Sequence, residues 1–460
     1  MRIVFFDIDS LRSDHLGCYG YPRSTSPTID TIAADGMRFD SYYCSTSPCL
    51  PSRAAWVTGT FGIRNGVVSN VGVGSRYRLE QIQHRKDGVY KGDIIRVPER
   101  MPRHLRRHGY DTITISNFAD RHGADWFLYG WTEAHSVDLK GGREQATDVA
   151  DRTIGWLRNN RGRDNFFLHV NFWDVHRCYT MDPSWAERFA DQPVPVDWPD
   201  EATIRRHGEM TGLFTAHGQF PDDKSPFPLM PGAIESRADV EHLITGYDAA
   251  IAYVDHHIKL ILDELEAQGM LEDTALIVSA DHGDALGEHG IYGDHFCVDE
   301  CVHRIPLIVR WPGLTDGGRE SCGQMLYHTD FYPTLCELLE MPLPEKIDGE
   351  SFAGVLAEGN VPDRDHLLWD SANYTIQRAV RTPTHLYIRT YDDAGYEFQS
   401  EELYAIANDP FQTRDLAGTE PASLAHCRAC LAEWEKVQMN KADVHSDPLE
   451  AVLAERQAKR

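Results

Sequence analysis

The chain has 460 residues, 71 acidic and 45 basic, for a formal net charge of -26 with its histidines neutral. This excess of carboxylates argues against nucleic acid or an anionic membrane as a general partner. The length suits one large α/β domain with an appendage, and no stretch is apolar for long enough to span a membrane.

The apolar opening Arg2-Ile3-Val4-Phe5-Phe6 is too short for a signal-peptide core and lacks a small-residue cleavage site, so the sequence as written predicts a cytoplasmic protein. Residues 2 to 9 predict a strand buried on both faces of a parallel sheet. It ends in Asp7 and Asp9, where open α/β sheets place their sites. Two apart on a strand, both carboxylates can face the same way.

Next comes Ser47-Pro48-Cys49-Leu50-Pro51-Ser52-Arg53-Ala54-Ala55, followed by Thr58-Gly59. Pro51 presets the backbone, and Ser52 is a candidate cap for a helix opening at Arg53, whose N-terminus then faces an anion. Arg53 adds fixed positive charge. Residues 62 to 97 predict a long loop. Between Arg76 and Arg107, ten Lys and Arg residues stand against four acidic ones, either a solvated face or a patch that attracts anionic substrates.

A basic helix is expected over 99 to 108 and a strand over 110 to 116, with Arg121 and His122 just beyond. A helix near 147 to 159 precedes the strand Phe166 to Phe172, which runs into Trp173-Asp174-Val175-His176. Residues 182 to 234, rich in Pro, Trp and charge, predict an irregular insertion that could wall a substrate pocket. Ile244, Tyr247, Ile251, Val254, Ile258, Leu262 and Leu265 recur every three or four residues, the apolar face of a long helix. That helix feeds the strand Thr274 to Ser279, which ends in Asp281-His282-Gly283. A strand over 304 to 310, a helix from Thr329 to Met341, and short strands near 378–381, 385–389 and 402–404 follow. The ten cysteines are scattered rather than framed for disulfides, and Cys427 and Cys430, at zinc or redox spacing, lack a second pair.

Cys49-x-Pro51-Ser52-Arg53, Gly17-Cys18-Tyr19-Gly20-Tyr21, Asp281-His282-Gly283 with Gly287-Glu288-His289-Gly290, and Asn408-Asp409-Pro410 with Asp415-Leu416-Ala417 resemble, in order, the motifs of type I sulfatases in the alkaline phosphatase superfamily. The resemblance covers nearly the whole chain. It implies an α/β fold with a mixed, largely parallel central sheet sandwiched by helices and a small C-terminal antiparallel subdomain closed by a helix. The catalytic domain would occupy 1–365 and the subdomain 366–460.

It also implies that a maturation enzyme oxidises Cys49 to Cα-formylglycine. The hydrate of that aldehyde has two hydroxyls, one to attack sulfur and one to expel sulfate. The implied metal ligands are Asp9, position 49, Asp281 and His282, with Asp7 the candidate to replace the carboxylate lost at Ser10, around Ca²⁺ or, as alternatives, Mg²⁺ or Mn²⁺. Arg53 would stabilise the nucleophile, and His176 and His295 would bind sulfate, one protonating the leaving alcohol. The expected partner is a small sulfated substrate, such as a saccharide.

The sequence departs from the family at four places. The usual second aspartate after the first strand is Ser10. The lysine and histidine expected after the 110–116 strand are replaced by Ser116-Asn117-Phe118-Ala119, leaving Arg121 and His122 as the nearest substrate-binding substitutes. Val175 stands for the proline before His176, and His295 for a lysine. His282 occupies a position filled by Asn or His, and the His form is frequent in relatives that cleave phosphonate and phosphate esters. A phosphonate or phosphate mono- or diester hydrolase is therefore the alternative function, and an unmatured anion-binding protein a third.

Overall fold

Strand Arg2–Ile8 lies in the middle of an eight-stranded sheet, and it is apolar because both of its faces are covered. It pairs in parallel with Phe166–Phe172 on one side and with Thr274–Ser279 on the other. The sheet extends through Asp111–Ile115 and Glu133–His135 on the first side. On the second it extends through Leu307–Arg310, Met37–Phe39 and Arg319–Ser321. Among the described strands of this sheet, Leu307–Arg310 alone opposes its neighbours, which makes the sheet mixed but largely parallel. The structure, a computed structural model, describes residues 1–76, 99–138, 140–321, 323–357, 362–441 and 444–459. Most of the basic stretch between Arg76 and Arg107 lies outside them.

Alternation along Arg2–Ile8 turns Phe5 and Asp7 toward the helix Cys49–Thr58. The Phe5 ring meets Trp56 at 4.9 Å and Phe331 at 5.0 Å between centroids. Two residues on, Asp7 meets Arg53 of the same helix. The long helix Arg237–Ala267 opens on a capping box formed by Ser236 and Asp239. It buries the predicted apolar face, with Leu262 half-buried at its margin, and packs on Ala146–Asn159 and Pro27–Asp35.

The second sheet is antiparallel through Leu367–Ser371, Ile376–Arg381, His385–Asp392 and Glu401–Ala405. Its first strand also pairs, in parallel, with Thr46–Ser47. The residues just before Cys49 are therefore an edge of the C-terminal sheet, which the sequence did not disclose. Helix Pro421–Met439 closes this sheet, setting Leu424, Cys427 and Leu431 against Val380, Tyr387 and Leu403. Cys427 and Cys430 are both free thiols. Among the described residues, no helix is long and apolar enough to cross a membrane.

Because Phe5 is 4% exposed and wedged between two aromatic rings, Phe5→Ala is expected to cost about 3–5 kcal/mol of stability. A chemical-denaturation midpoint would read the loss.

Candidate active site

Parallel pairing sets Asp7 opposite Ser279. Two residues beyond that pair, the two chains leave the sheet side by side and present Asp9 and Asp281, both buried. The Arg53 guanidinium lies between the carboxylates. Its Nε donates to Asp7 Oδ2 at 3.0 Å, its Nη2 lies 2.9 Å from the same oxygen, and its Nη1 lies 3.0 Å from Asp9 Oδ2 and also bonds Asp281 Oδ2. His169 and Asn171, on the neighbouring strand, also meet Asp7 Oδ2, at 3.1 and 3.2 Å. Asp7 is thereby saturated by Arg53, His169 and Asn171, and it lies outside the group of donors that converge on one point.

That group is Asp9, Cys49, Asp281 and His282, whose donor atoms all lie within 4.8 Å of one another. Burial and the Asp281 charge push the Asp9 carboxyl well above its ordinary range, and its Oδ2 is engaged by the Arg53 charge without a well-aligned hydrogen bond. Two crowded carboxylates that must share one guanidinium are a donor set that fits a hard dication. The orientation of His282 agrees, since its Nδ1 donates to the Gly283 carbonyl at 2.8 Å and leaves Nε2 3.3 Å from Cys49 Sγ. Ser10, in the place of the expected second aspartate, donates from its backbone N to Asp281 at 3.2 Å and from its hydroxyl to Asp9 at 3.3 Å. It steadies the two carboxylates instead of adding a third.

Cys49 is the first residue of its helix, which starts earlier than the sequence suggested. Ser52 thus falls inside the first turn, and its hydroxyl donates to the Asp281 carbonyl at 2.6 Å rather than capping. Arg53, one turn after Cys49, shares its helix face. Burial, then Asp9 and Asp281, push the Cys49 thiol well above its ordinary value, so an unmodified Cys49 is a neutral thiol and a weak nucleophile.

His176 and His295 converge on Cys49 as a second set, again with donor atoms within 4.8 Å. The His176 Nδ1 donates to the Arg177 carbonyl at 2.5 Å, and its ring stacks on Trp173 at 4.1 Å. His295 is held through Nδ1 by Asp284 at 2.8 Å and lies 4.1 Å from the His282 ring. Burial lowers the pKa of all three imidazoles, and for His295 the neighbouring His282 adds to it.

Arg121 and His122 border this centre. Arg121 pairs with Glu144 at 2.7 Å and lies over the Trp173 ring at 3.5 Å, while its Nη1 is buried without a hydrogen bond. His122 Nε2 is likewise buried and unpartnered. Burial first, then Arg121, Arg53 and His282, push its pKa down to about 3. Three supporting residues escaped the sequence reading. Asp284 orients His295, Trp173 carries His176, and Asn70 accepts from the Leu50 backbone at 2.9 Å. Asp284 could have been found, since it directly follows Asp281-His282-Gly283; Asn70, in an irregular segment, carried no signal.

The arrangement is a nucleophile position at a helix N-terminus, faced by a cation-competent oxygen cluster and by two imidazoles. It is suited to anionic ester hydrolysis. The Sulfatase family model matches residues 2–341, and the model of the N-sulphoglucosamine sulphohydrolase C-terminal region matches 287–432. An N-acetylglucosamine-6-O-sulfatase of Bacteroides thetaiotaomicron is 24% identical, the match covering 98% of this chain and 88% of the relative. A structure in complex with its substrate D-glucosamine-2-N,6-O-disulfate superposes with a TM-score of 0.73 at 22% identity, covering 97% of this chain and 99% of the other. The phosphonate monoester hydrolase of Agrobacterium radiobacter follows at 0.70 and 19%, with 95% of each chain covered.

His328 braces the Cys49 turn from below. Its Nδ1 accepts from the Ser45 N–H at 3.2 Å and its Nε2 donates to the Ser52 carbonyl at 3.0 Å. Burial pushes its pKa down to about 3 from an ordinary 6.5. Between those values the unfolded chain binds the proton and the folded one does not, so the contribution is complete above pH 6.5 and is lost as the pH falls toward 3. Denaturation midpoints are expected to decline below pH 6.5, each such group adding up to about 1.4 kcal/mol per pH unit. The decline should be shallower in a His328→Gln variant that is less stable at neutral pH.

Proposed function

The chain belongs to the sulfatase family, and from that premise we propose that it hydrolyses the sulfate ester of a small saccharide or related metabolite through a Cα-formylglycine formed from Cys49. The observation that carries this reading is the convergence on Cys49 Sγ of both donor sets, Asp9, Asp281 and His282 on one side and His176 and His295 on the other. A thiolate route is disfavoured because burial and two carboxylates keep the Cys49 thiol neutral. Oxidation by a formylglycine-generating maturase would replace that thiol by an aldehyde, whose hydrate supplies the attacking and the expelling hydroxyl. The saccharide is supported by the substrates named for two relatives.

Asp9, Asp281, His282 and the modified position 49 would hold the cation, calcium first and magnesium or manganese as substitutes. When bound, the cation neutralises charge on the substrate oxygens and lowers the pKa of the attacking hydroxyl. Arg53 keeps Asp9 and Asp281 oriented toward position 49 and, through Asp7, fixes the strand end beneath them. His176 and His295 face the sulfate with Nε2. Whichever lies nearer the ester oxygen would accept at Nε2 the proton released by the attacking hydroxyl and pass it to the leaving alcohol as the sulfur–oxygen bond to that alcohol breaks. Arg121 and His122 border the substrate side of Trp173 and supply donors where the family's lysine and histidine are missing.

A phosphonate ester is the competing substrate, and the specific observation in its favour is His282 beside position 49. Matched aryl sulfate, phosphate and phosphonate esters are to be compared on protein coexpressed with a maturase. Sulfate is expected to be hydrolysed fastest, and faster turnover of the phosphonate would reverse the assignment. Cys49→Ala is expected to abolish hydrolysis, and His295→Ala to lower kcat by roughly 10²–10⁴. Chelation should silence the enzyme, with calcium restoring it.

A further inference from the structure

A second cavity, of about 270 Å³, opens where the 182–234 insertion, the turn at His289 and the C-terminal sheet meet. Neither Cys49 nor any side chain that converges on it lines this cavity. One wall is aromatic: Trp198 of the insertion stacks on Phe411 of the C-terminal region, with centroids 4.6 Å apart and planes inclined by only 8°. Phe398 and Tyr404 continue that wall around His289, at 4.9 and 5.7 Å.

The opposite wall is polar and incompletely paired. Gln412 is 4% exposed and its amide is engaged by His289, but loosely, with no well-aligned hydrogen bond on either amide atom. Glu402 is 6% exposed; its Oε1 accepts from Tyr404 at 3.1 Å while Oε2 is unpartnered. A buried carboxylate oxygen left unpaired costs roughly 1–3 kcal/mol, and a loosely held amide part of that, unless a ligand or water completes them.

We propose that this cavity is a binding site for one uncharged sugar ring, separate from the catalytic centre. Its volume falls just below the usual range for drug-sized ligands, room for a single ring rather than a chain. The aromatic wall matches the apolar face of a pyranose. The Gln412 amide can donate to and accept from adjacent hydroxyls, and Glu402 Oε2 accepts from one. The charge on the walls selects against an anion, because Glu397, Glu402 and Asp415 outnumber Arg206, so a sulfated or phosphorylated ring is disfavoured here. The walls come from segments distant in sequence, so the ring would clamp the insertion to the C-terminal sheet.

The proposal concerns binding alone and is independent of the sulfatase chemistry. Saturation-transfer NMR on the full chain, with inorganic sulfate present at saturation to fill the catalytic centre, would use the methyl glycosides of N-acetylglucosamine, galactose and glucose as probes. At least one is expected to bind, and Gln412→Leu and Phe411→Ala are each expected to weaken it by roughly tenfold or more, Gln412→Leu without lowering the thermal midpoint. Gln412 lies in a turn away from the main core, so its variant remains informative if Phe411→Ala unfolds. Failure of all three glycosides to bind the parent, or equal binding by parent and Gln412→Leu, would overturn the proposal. Hydrolysis of a small aryl sulfate, measured on the same proteins without added sulfate, is expected to persist in Gln412→Leu and vanish in Cys49→Ala, so the two readings fail separately.

Discussion

Three carboxylates from two neighbouring parallel strands share one guanidinium. Asp7 and Asp9 arrive on the first strand, Asp281 on the next, and Arg53 contacts each of them. Without that charge, buried acids this close would repel and take up protons, and the strand ends would have no reason to stay in register. Arg53 is also one helical turn from Cys49, so the residue that gathers the carboxylates sets how far position 49 stands from them. Position and charge are fixed by a single side chain, and the Phe118 ring at 4.8 Å from its guanidinium carbon closes it from solvent.

The same constraint explains what the substitutions after the 110–116 strand do. Phe118 falls within the stretch that replaces the family's lysine and histidine, and it covers Arg53 instead of reaching for substrate. On the proposed reading, fixed positive charge at the substrate face is then left to Arg121, held on Trp173 and Glu144, beside imidazoles that burial keeps neutral. Such a face binds an anion strongly only when a cation fills the oxygen cluster or an imidazole gains a proton. A lysine would have carried its charge regardless. Charge at this centre is thus conditional, which couples substrate binding to metal and to pH.

The strands Arg2–Ile8, Phe166–Phe172 and Thr274–Ser279 were legible because residues covered on both faces form mostly apolar runs, and the polar residues just beyond them marked where chemistry would lie. The Arg237–Ala267 helix was legible from its period. Register was not, and register is what decides that Asp9 and Asp281 meet while Asp7 turns back to Arg53 and His169. Ser52 looked like a cap because serine before an alanine run usually is one. The helix instead begins at Cys49, with Pro48 before it, and Ser52 spends its hydroxyl on the Asp281 carbonyl. His328 and Thr46–Ser47 were invisible for a shared reason: each acts through backbone groups of a segment remote in sequence.

That remoteness bears on how the two sheets divide the work. Thr46–Ser47 pairs with Leu367–Ser371, while Arg53, a few residues later, is bound to the ends of the central strands. The segment carrying Cys49 is therefore stretched between the sheets, with one end in the ladder of the C-terminal sheet and the other in the carboxylate cluster. His328 ties the middle by bonding Ser45 and Ser52 together. A C-terminal sheet that merely decorated the fold could be lost without moving Cys49. Here its first strand supplies the hydrogen bonds that hold the approach to the helix, so the C-terminal sheet is part of what places Cys49.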